Sequence, residues 1–188
     1  LTHLFVNILG YTKRPEEGYN LVREKKNETD GKKADGAILR PDGSVIAVIE
    51  LKGAKIKDLD KIDDQAWGYQ RSHINCSYVI TSNFEKLRFF IDNAVEHEPF
   101  NLFTLTQEQF SLLWLCLQKD NLQGDLPKRV KVESFLEEER VTERLYKDYS
   151  AFKADLWSDM CQQNSELDEL ELYKKSQKLL DRFLFIFF

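Results

Sequence analysis

Short apolar runs with strand character dominate the chain up to about residue 105, and helical spacing dominates beyond it. Leu4, Phe5, Ile8 and Leu9 fall three and four apart with Gly10 behind them, so residues 1–10 read as the end of a helix. A loop over Lys13 to Gly18 follows, then a first strand over Tyr19 to Lys25 and a polar loop over Asn27 to Lys33. The clearest local signal comes next. Ala34 to Arg40 and Val45 to Lys52 are strand-like, and Pro41-Asp42-Gly43-Ser44 is the turn between them. Val45 to Ile49 is apolar at every position, which predicts a central strand buried on both faces beneath helices. Lys57 to His73 reads as a helix with Leu59, Ile62, Ala66 and Tyr69 on one face, and strands are expected over Ser77–Thr81, Leu87–Ile91 and Phe100–Leu105. Helices are expected over 107–118, 133–148, 150–163 and 166–188. The fold class is α/β: a mixed central sheet flanked by helices over residues 1–105, then an acidic all-helical segment over 106–188.

Composition narrows the class. Of the 188 residues 42% are hydrophobic and 31% charged, as in an ordinary globular chain. No apolar run approaches the ~20 residues of a membrane span, so no membrane partner is expected. Cys76, Cys116 and Cys161 are odd in number, far apart and never in a CxxC pair. That spacing points to reduced thiols in a cytoplasmic protein and away from a disulfide framework or a zinc knuckle. The chain opens on Leu1 inside an apolar segment and closes on Phe183 to Phe188, six apolar residues in a row. Such a patch invites association, so the chain is expected to be a fragment cut where a helix enters another domain. Net charge is −5, but its distribution is uneven: 15 Lys+Arg stand against 13 Asp+Glu in residues 1–90, and 12 against 19 afterwards. The first half suits a phosphate-bearing partner, the second solvent or protein.

Three acidic-x-Lys patterns occur: Glu24-x-Lys26, Asp30-x-Lys32 and Glu50-x-Lys52. About three are expected by chance from the composition, so context must separate them. Asp30 and Lys32 lie in a polar loop, and Glu24 and Lys26 end a half-polar strand where a surface ion pair is the plainer reading. Glu50 and Lys52 directly continue the apolar run and share one strand face. Charges there are costly unless compensated.

Asp35 is the natural third member. If Asp42-Gly43 is a two-residue turn, Asp35 lies opposite Glu50, with Cβ atoms ~5 Å apart. Two carboxylates so close share a proton or bind a cation, and hard oxygen ligands suit Mg²⁺. Pro41 also favours a type I turn over 40–43 with Gly43 as a bulge. That alternative pairs Arg40 with Ser44 and sets Asp35 against Ile49, unless a second bulge compensates. The plain structural reading of the cluster is a buried salt bridge from Lys52 to either carboxylate.

Asp35 with Glu50-Leu51-Lys52 at the end of an apolar strand resembles the PD-(D/E)XK nuclease superfamily. Gln65 and Tyr69 match the QxxxY motif that follows the Lys in RecB-like nucleases and type I restriction subunits. Tyr78 to Phe84 and Leu87 to Phe90 are similar to the next segment of restriction enzymes that fuse a nuclease to an adenine methyltransferase. The tail from Lys178 to Phe188 is similar to the helix leading into that methyltransferase in type IIG-like fusions. One departure stands out: many relatives carry a Glu upstream of the Gly-Tyr seen as Gly10-Tyr11, and no acid precedes Glu16. That residue is either outside the fragment or absent.

The resemblance implies a restriction-endonuclease-like fold and Mg²⁺-dependent hydrolysis of double-stranded DNA, with Mn²⁺ as a substitute ion. Asp35, Glu50 and the Leu51 backbone carbonyl would hold the metal, and Lys52 would position the water or stabilise developing charge. Gln65 and Tyr69, four apart on one helical face, would orient Lys52, the water or a phosphate; ordinary helix packing is their plainer role. Lys33, Lys55, Lys57 and Arg71, with Lys25, Lys26 and Lys32, are candidates for phosphate contacts that carry no base specificity. Methyltransferase and target-recognition domains are expected elsewhere in the same polypeptide. S-adenosylmethionine would bind only there, since 188 residues show no NPPY-like motif and no Gly-rich cofactor loop. Two other readings compete: a repair nuclease of the same superfamily, and a degenerate nuclease fold serving as a DNA-binding or assembly module through helices 133–188.

Overall fold

A computed structural model describes residues 2–26, 33–92 and 95–187. Asp30 and Lys32 lie outside the described residues. Compactness divides the chain into Leu1–Lys131 and Val132–Phe188.

Among the described residues of the first unit one six-stranded sheet runs in sequence order: β1 (Leu21–Lys26), β2 (Lys33–Leu39), β3 (Val45–Leu51), β4 (Tyr78–Ser82), β5 (Lys86–Ile91) and β6 (His97–Asn101). Every neighbouring pair is antiparallel except β3 and β4, which are parallel and joined through helix α1 (Asp60–Gln70). This is the mixed, helix-flanked central sheet expected of the α/β class. β3 is buried along nearly its whole length and β4 throughout, which is what an unbroken apolar run requires.

Two cores sandwich the sheet. On one face α1 lays Ala66, Trp67 and Tyr69 over Ala37, Val48, Val79 and Phe90. On the other, Phe5, Leu9 and Tyr11 pack with Ile46, Ala47, Ile49 and Ile80, and with Leu113, Cys116, Leu117 and Leu122. The last four come from α2 (Gln107–Leu117) and α3 (Lys119–Gln123), so the compact unit extends past residue 105 to Lys131. The Tyr11 hydroxyl ties the N-terminal segment to α2 by donating to the Leu117 carbonyl at 2.8 Å.

Several elements depart from the sequence expectation. The N-terminal turn His3–Ile8 is a π-helix ending at Gly10, whose φ is +84°. The sixth strand is His97–Asn101 rather than Phe100–Leu105, because Asn101 closes a turn by accepting the Phe103 N–H. His97-Glu98-Pro99 is too polar to signal a strand, and it is tolerated at the sheet's edge, where Pro has no ladder bond to lose. A single helix α4 (Leu126–Gln163) replaces the two expected over 133–148 and 150–163, since Tyr149-Ser150 holds no helix breaker. It begins earlier because Pro127 is acceptable in a first turn.

Within the second unit, α4 from Val132 onward and α5 (Glu169–Phe187) form a helical hairpin. Tyr149 donates to Asp181 at 3.0 Å, Lys153 to the Tyr173 hydroxyl at 2.8 Å, and the Trp157 and Tyr173 rings meet edge to face.

Candidate metal and phosphate site

The hairpin register decides whether a site exists. The Arg40 N–H donates to the Ser44 carbonyl and the Gly43 N–H to the Arg40 carbonyl, so the turn is the bulged one and not the two-residue one. Leu39 accordingly pairs with Val45, but Ile38 pairs with Ala47 and Gly36 with Ile49. A second bulge at Ile46 has restored the register lost at the turn. Continued by one step, it sets Asp35 opposite Glu50.

The bulge also sorts the side chains. Ile46 and Ala47 both face the core with Phe5 and Leu9, leaving Val45 and Val48 to face α1. Glu50, two beyond Val48, emerges on the α1 face beside its parallel neighbour Thr81.

The pieces meet at the end of β3. Asp35 Oδ2 accepts the Leu51 N–H at 2.8 Å, and Lys52 Nζ donates to Glu50 Oε1 at 2.5 Å. Glu50 is 1% exposed, and its other oxygen, Oε2, is buried with no hydrogen-bond partner among the described residues. In an extended strand a residue's carbonyl lies on the same side as its N–H, so the Leu51 carbonyl is directed towards the Asp35 side. Asp35, Leu51, Lys52 and Gly53 line a cleft of about 320 Å³ together with Arg23, Glu24 and Phe84.

Burial acts on this pair with opposite signs. It pushes the Glu50 carboxyl above the ordinary carboxylate range; the Lys52 hydrogen bond pulls it back, the Asp35 charge pushes it up again, the Lys52 charge and the Asp35 backbone N–H pull it down, and the net is upward. For Lys52 burial pulls downward, but the hydrogen bond and charge of Glu50, followed by Asp35 and Tyr69, outweigh it and the net is again upward. The difference lies in exposure: the Lys52 side chain keeps 30% of its surface and that of Glu50 only 2%.

Gln65 and Tyr69 are brought together, with Gln65 Nε2 donating to the Tyr69 hydroxyl at 2.8 Å. Tyr69 is also part of the core under α1 and acts electrostatically on Lys52. The basic candidates are more scattered. Lys33 pairs with Glu24, which lines the cleft, while Lys57 pairs with Glu85 in the β4–β5 turn. Lys55 is exposed in the loop after β3, and Arg71 is the C-cap of α1.

A buried polar group beside Glu50 escaped the sequence reading. Thr81 donates to Asp63 Oδ1 at 2.6 Å, and Arg88 bonds both Asp63 and Asp60. One signal was available: Asp63 interrupts the apolar face formed by Leu59, Ile62 and Ala66. These bonds clamp α1 to β4 and β5. Arg88→Ala leaves the Asp63 carboxylate without its cation and is expected to cost about 2–4 kcal/mol, read as a lower urea midpoint. An unchanged midpoint would show that the clamp carries no stability.

Among the described residues no group of three or more His, Cys, Asp or Glu side chains could hold a metal ion, and no helix is long and apolar enough to cross a membrane. No family model and no curated protein matches the chain. Among solved structures it is similar to the type IIG restriction endonuclease BpuSI, with a TM-score of 0.41 and 16% identity over 57% of this chain. The match spans 14% of that protein.

Proposed function

We propose that the chain hydrolyses phosphodiester bonds of double-stranded DNA with a divalent ion, as the endonuclease part of a type IIG-like restriction–modification enzyme. Methyltransferase and target-recognition domains would be partners in the same polypeptide, and S-adenosylmethionine would belong to the former. One observation carries this reading: a buried carboxylate oxygen, Glu50 Oε2, has no hydrogen-bond partner among the described residues, and a second carboxylate lies on the neighbouring strand. Leaving such an atom unsatisfied is costly, and a cation relieves the cost. The donors fit Mg²⁺, which takes one or two carboxylates and keeps several waters. Mn²⁺ accepts the same hard oxygens. Asp35, Glu50 and the Leu51 carbonyl are the residues that would hold it.

An ion held by Asp35, Glu50 and the Leu51 carbonyl would supply positive charge against the phosphate and lower the pKa of a water. Lys52 is held in its charged form by the Glu50 carboxylate beside it, and such a compact cation suits a developing anion. It donates to a phosphate oxygen or holds the attacking water in line. Gln65 satisfies the Tyr69 hydroxyl oxygen, leaving Tyr69 a proton to donate. Lys33, Lys55, Lys57 and Arg71 would add affinity without reading sequence.

The Lys52–Glu50 bond also favours a second reading, a structural ion pair in a non-catalytic DNA-binding module. Adding Mg²⁺ or Mn²⁺ to the chain discriminates between the two. A cleaving enzyme gains several degrees of melting temperature at saturating ion and nicks supercoiled plasmid in an ion-dependent way. If neither ion moves the melting curve or nicks DNA, the nuclease reading is wrong. Ion binding is the more direct readout, because cleavage also depends on target recognition.

A further inference from the structure

The β4–β5 turn holds an aromatic side chain at this cleft. Phe84 lines it alongside Asp35 and Lys52 and is 48% exposed. Its φ is +72°, a region that bulky L-residues rarely enter. The surroundings enforce it. The Phe84 N–H donates to Ser82 Oγ at 3.0 Å, and that hydroxyl donates to the Lys86 carbonyl at 2.8 Å. Asn83, fully buried, accepts the N–H groups of Glu85 and Lys86 and donates to the Ile56 carbonyl at 2.7 Å. A turn needing only this backbone would be served better by glycine. Phe84 belongs to neither buried core, so burial does not account for the ring.

Arg23 and Glu24 of β1 also line the cleft, and Glu24 too has a positive φ, 51°. Residues held in sparsely populated conformations concentrate where a ligand is gripped. The cleft thus brings together the cation of Lys52, the Asp35 carboxylate and an aromatic ring on a hydrogen-bonded turn. A phosphate and a flat, stackable group attached to it make a nucleotide.

We propose that Phe84 stacks on a nucleobase adjoining the phosphate held at Lys52, so that the cleft prefers a DNA strand carrying an unpaired base to an intact duplex. This rests on the phosphodiesterase reading of the same cleft. Stacking needs no base-edge contact, because every base has a π face.

The test uses two short duplexes that differ in one unpaired 2-aminopurine, with Ca²⁺ replacing Mg²⁺ to limit cutting. Wild type, Phe84→Gly and Phe84→Tyr are compared by fluorescence anisotropy and by quenching of the probe. Glycine accepts the +72° backbone, so Phe84→Gly should melt no lower than wild type. Wild type is expected to favour the unpaired duplex by about tenfold and to quench the probe. Phe84→Tyr keeps both properties and Phe84→Gly loses both. Equal binding and quenching by wild type and Phe84→Gly, or no preference by wild type, overturns the stacking role while leaving DNA binding intact. Failure of wild type to bind either duplex under any ion condition overturns the phosphodiesterase reading and the stacking role with it.

Discussion

Asp35→Asn should abolish the rise in melting temperature on adding Mg²⁺ or Mn²⁺ and reduce plasmid nicking by roughly 10³-fold, while metal-free stability changes little. The separation follows from the bonds Asp35 makes. Its Oδ2 accepts the Leu51 N–H, and an asparagine carbonyl can accept the same bond. What asparagine lacks is the negative charge. Removing it also lightens the repulsion that raises the Glu50 carboxyl, which offsets any weakening of the Leu51 bond. The proposed ion would lose one of its two carboxylates, and stabilisation by such an ion is worth several kcal/mol in a charged transition state, roughly three decades in rate. Melting curves with and without ion, alongside a nicking assay, separate the two effects. A variant that retains the full ion-induced shift would remove Asp35 from the site.

Lys52→Met is the counterpart and should fail differently. Cleavage should again fall by about 10³-fold, because a charge-assisted donor to phosphate is gone, yet the ion should still bind. Stability should fall as well, by about 1–3 kcal/mol at pH 7.5 without metal, since the buried Glu50 carboxylate loses its cation and the partner of Oε1. The pH dependence fixes the cause. The Glu50 carboxyl is already raised above its ordinary 4.5 in the folded chain, so the native state holds that proton more tightly than the unfolded one. Stability from this group is therefore fully present below about pH 4.5 and declines as pH rises towards the folded value. Losing Lys52 lifts the folded value further and extends the decline. Denaturation midpoints of variant and wild type should approach each other at acid pH and diverge towards neutrality. Parallel curves would mean that Lys52 does not hold the Glu50 charge.

Much of the sheet was legible because its signals are local. The apolar run Val45–Ile49 could only be a doubly buried strand, and Leu59, Ile62, Ala66 and Tyr69 marked the buried face of α1. Glu50 and Lys52 stood out because charges continuing such a run need compensation. The edge was less legible: β6 carries polar residues and a proline, and only pairing with β5 makes it a strand. The membership of α2 and α3 in the sheet unit was hidden too, since helical spacing over 107–118 does not show what Leu113 and Leu117 pack against. Asp63, Arg88 and Phe84 were missed for a related reason. Each acquires its part from residues distant in sequence or from a backbone angle that Ser82 and Asn83 impose.

By itself the sequence determined which residues are chemically unusual: two acids and a lysine in or beside strands that tolerate few charges, and a Gln and Tyr one helical turn apart. It could not determine whether the acids meet. The turn residues admitted two registers, and the bulged one, taken alone, sets Asp35 against Ile49. Tertiary packing chose the outcome. Burying Ile46 and Ala47 together on the face of Phe5 and Leu9 inserts one more residue into β3, and a one-residue slip exchanges the faces of every side chain beyond it. The core on one side of the sheet thereby places Glu50 opposite Asp35 on the other.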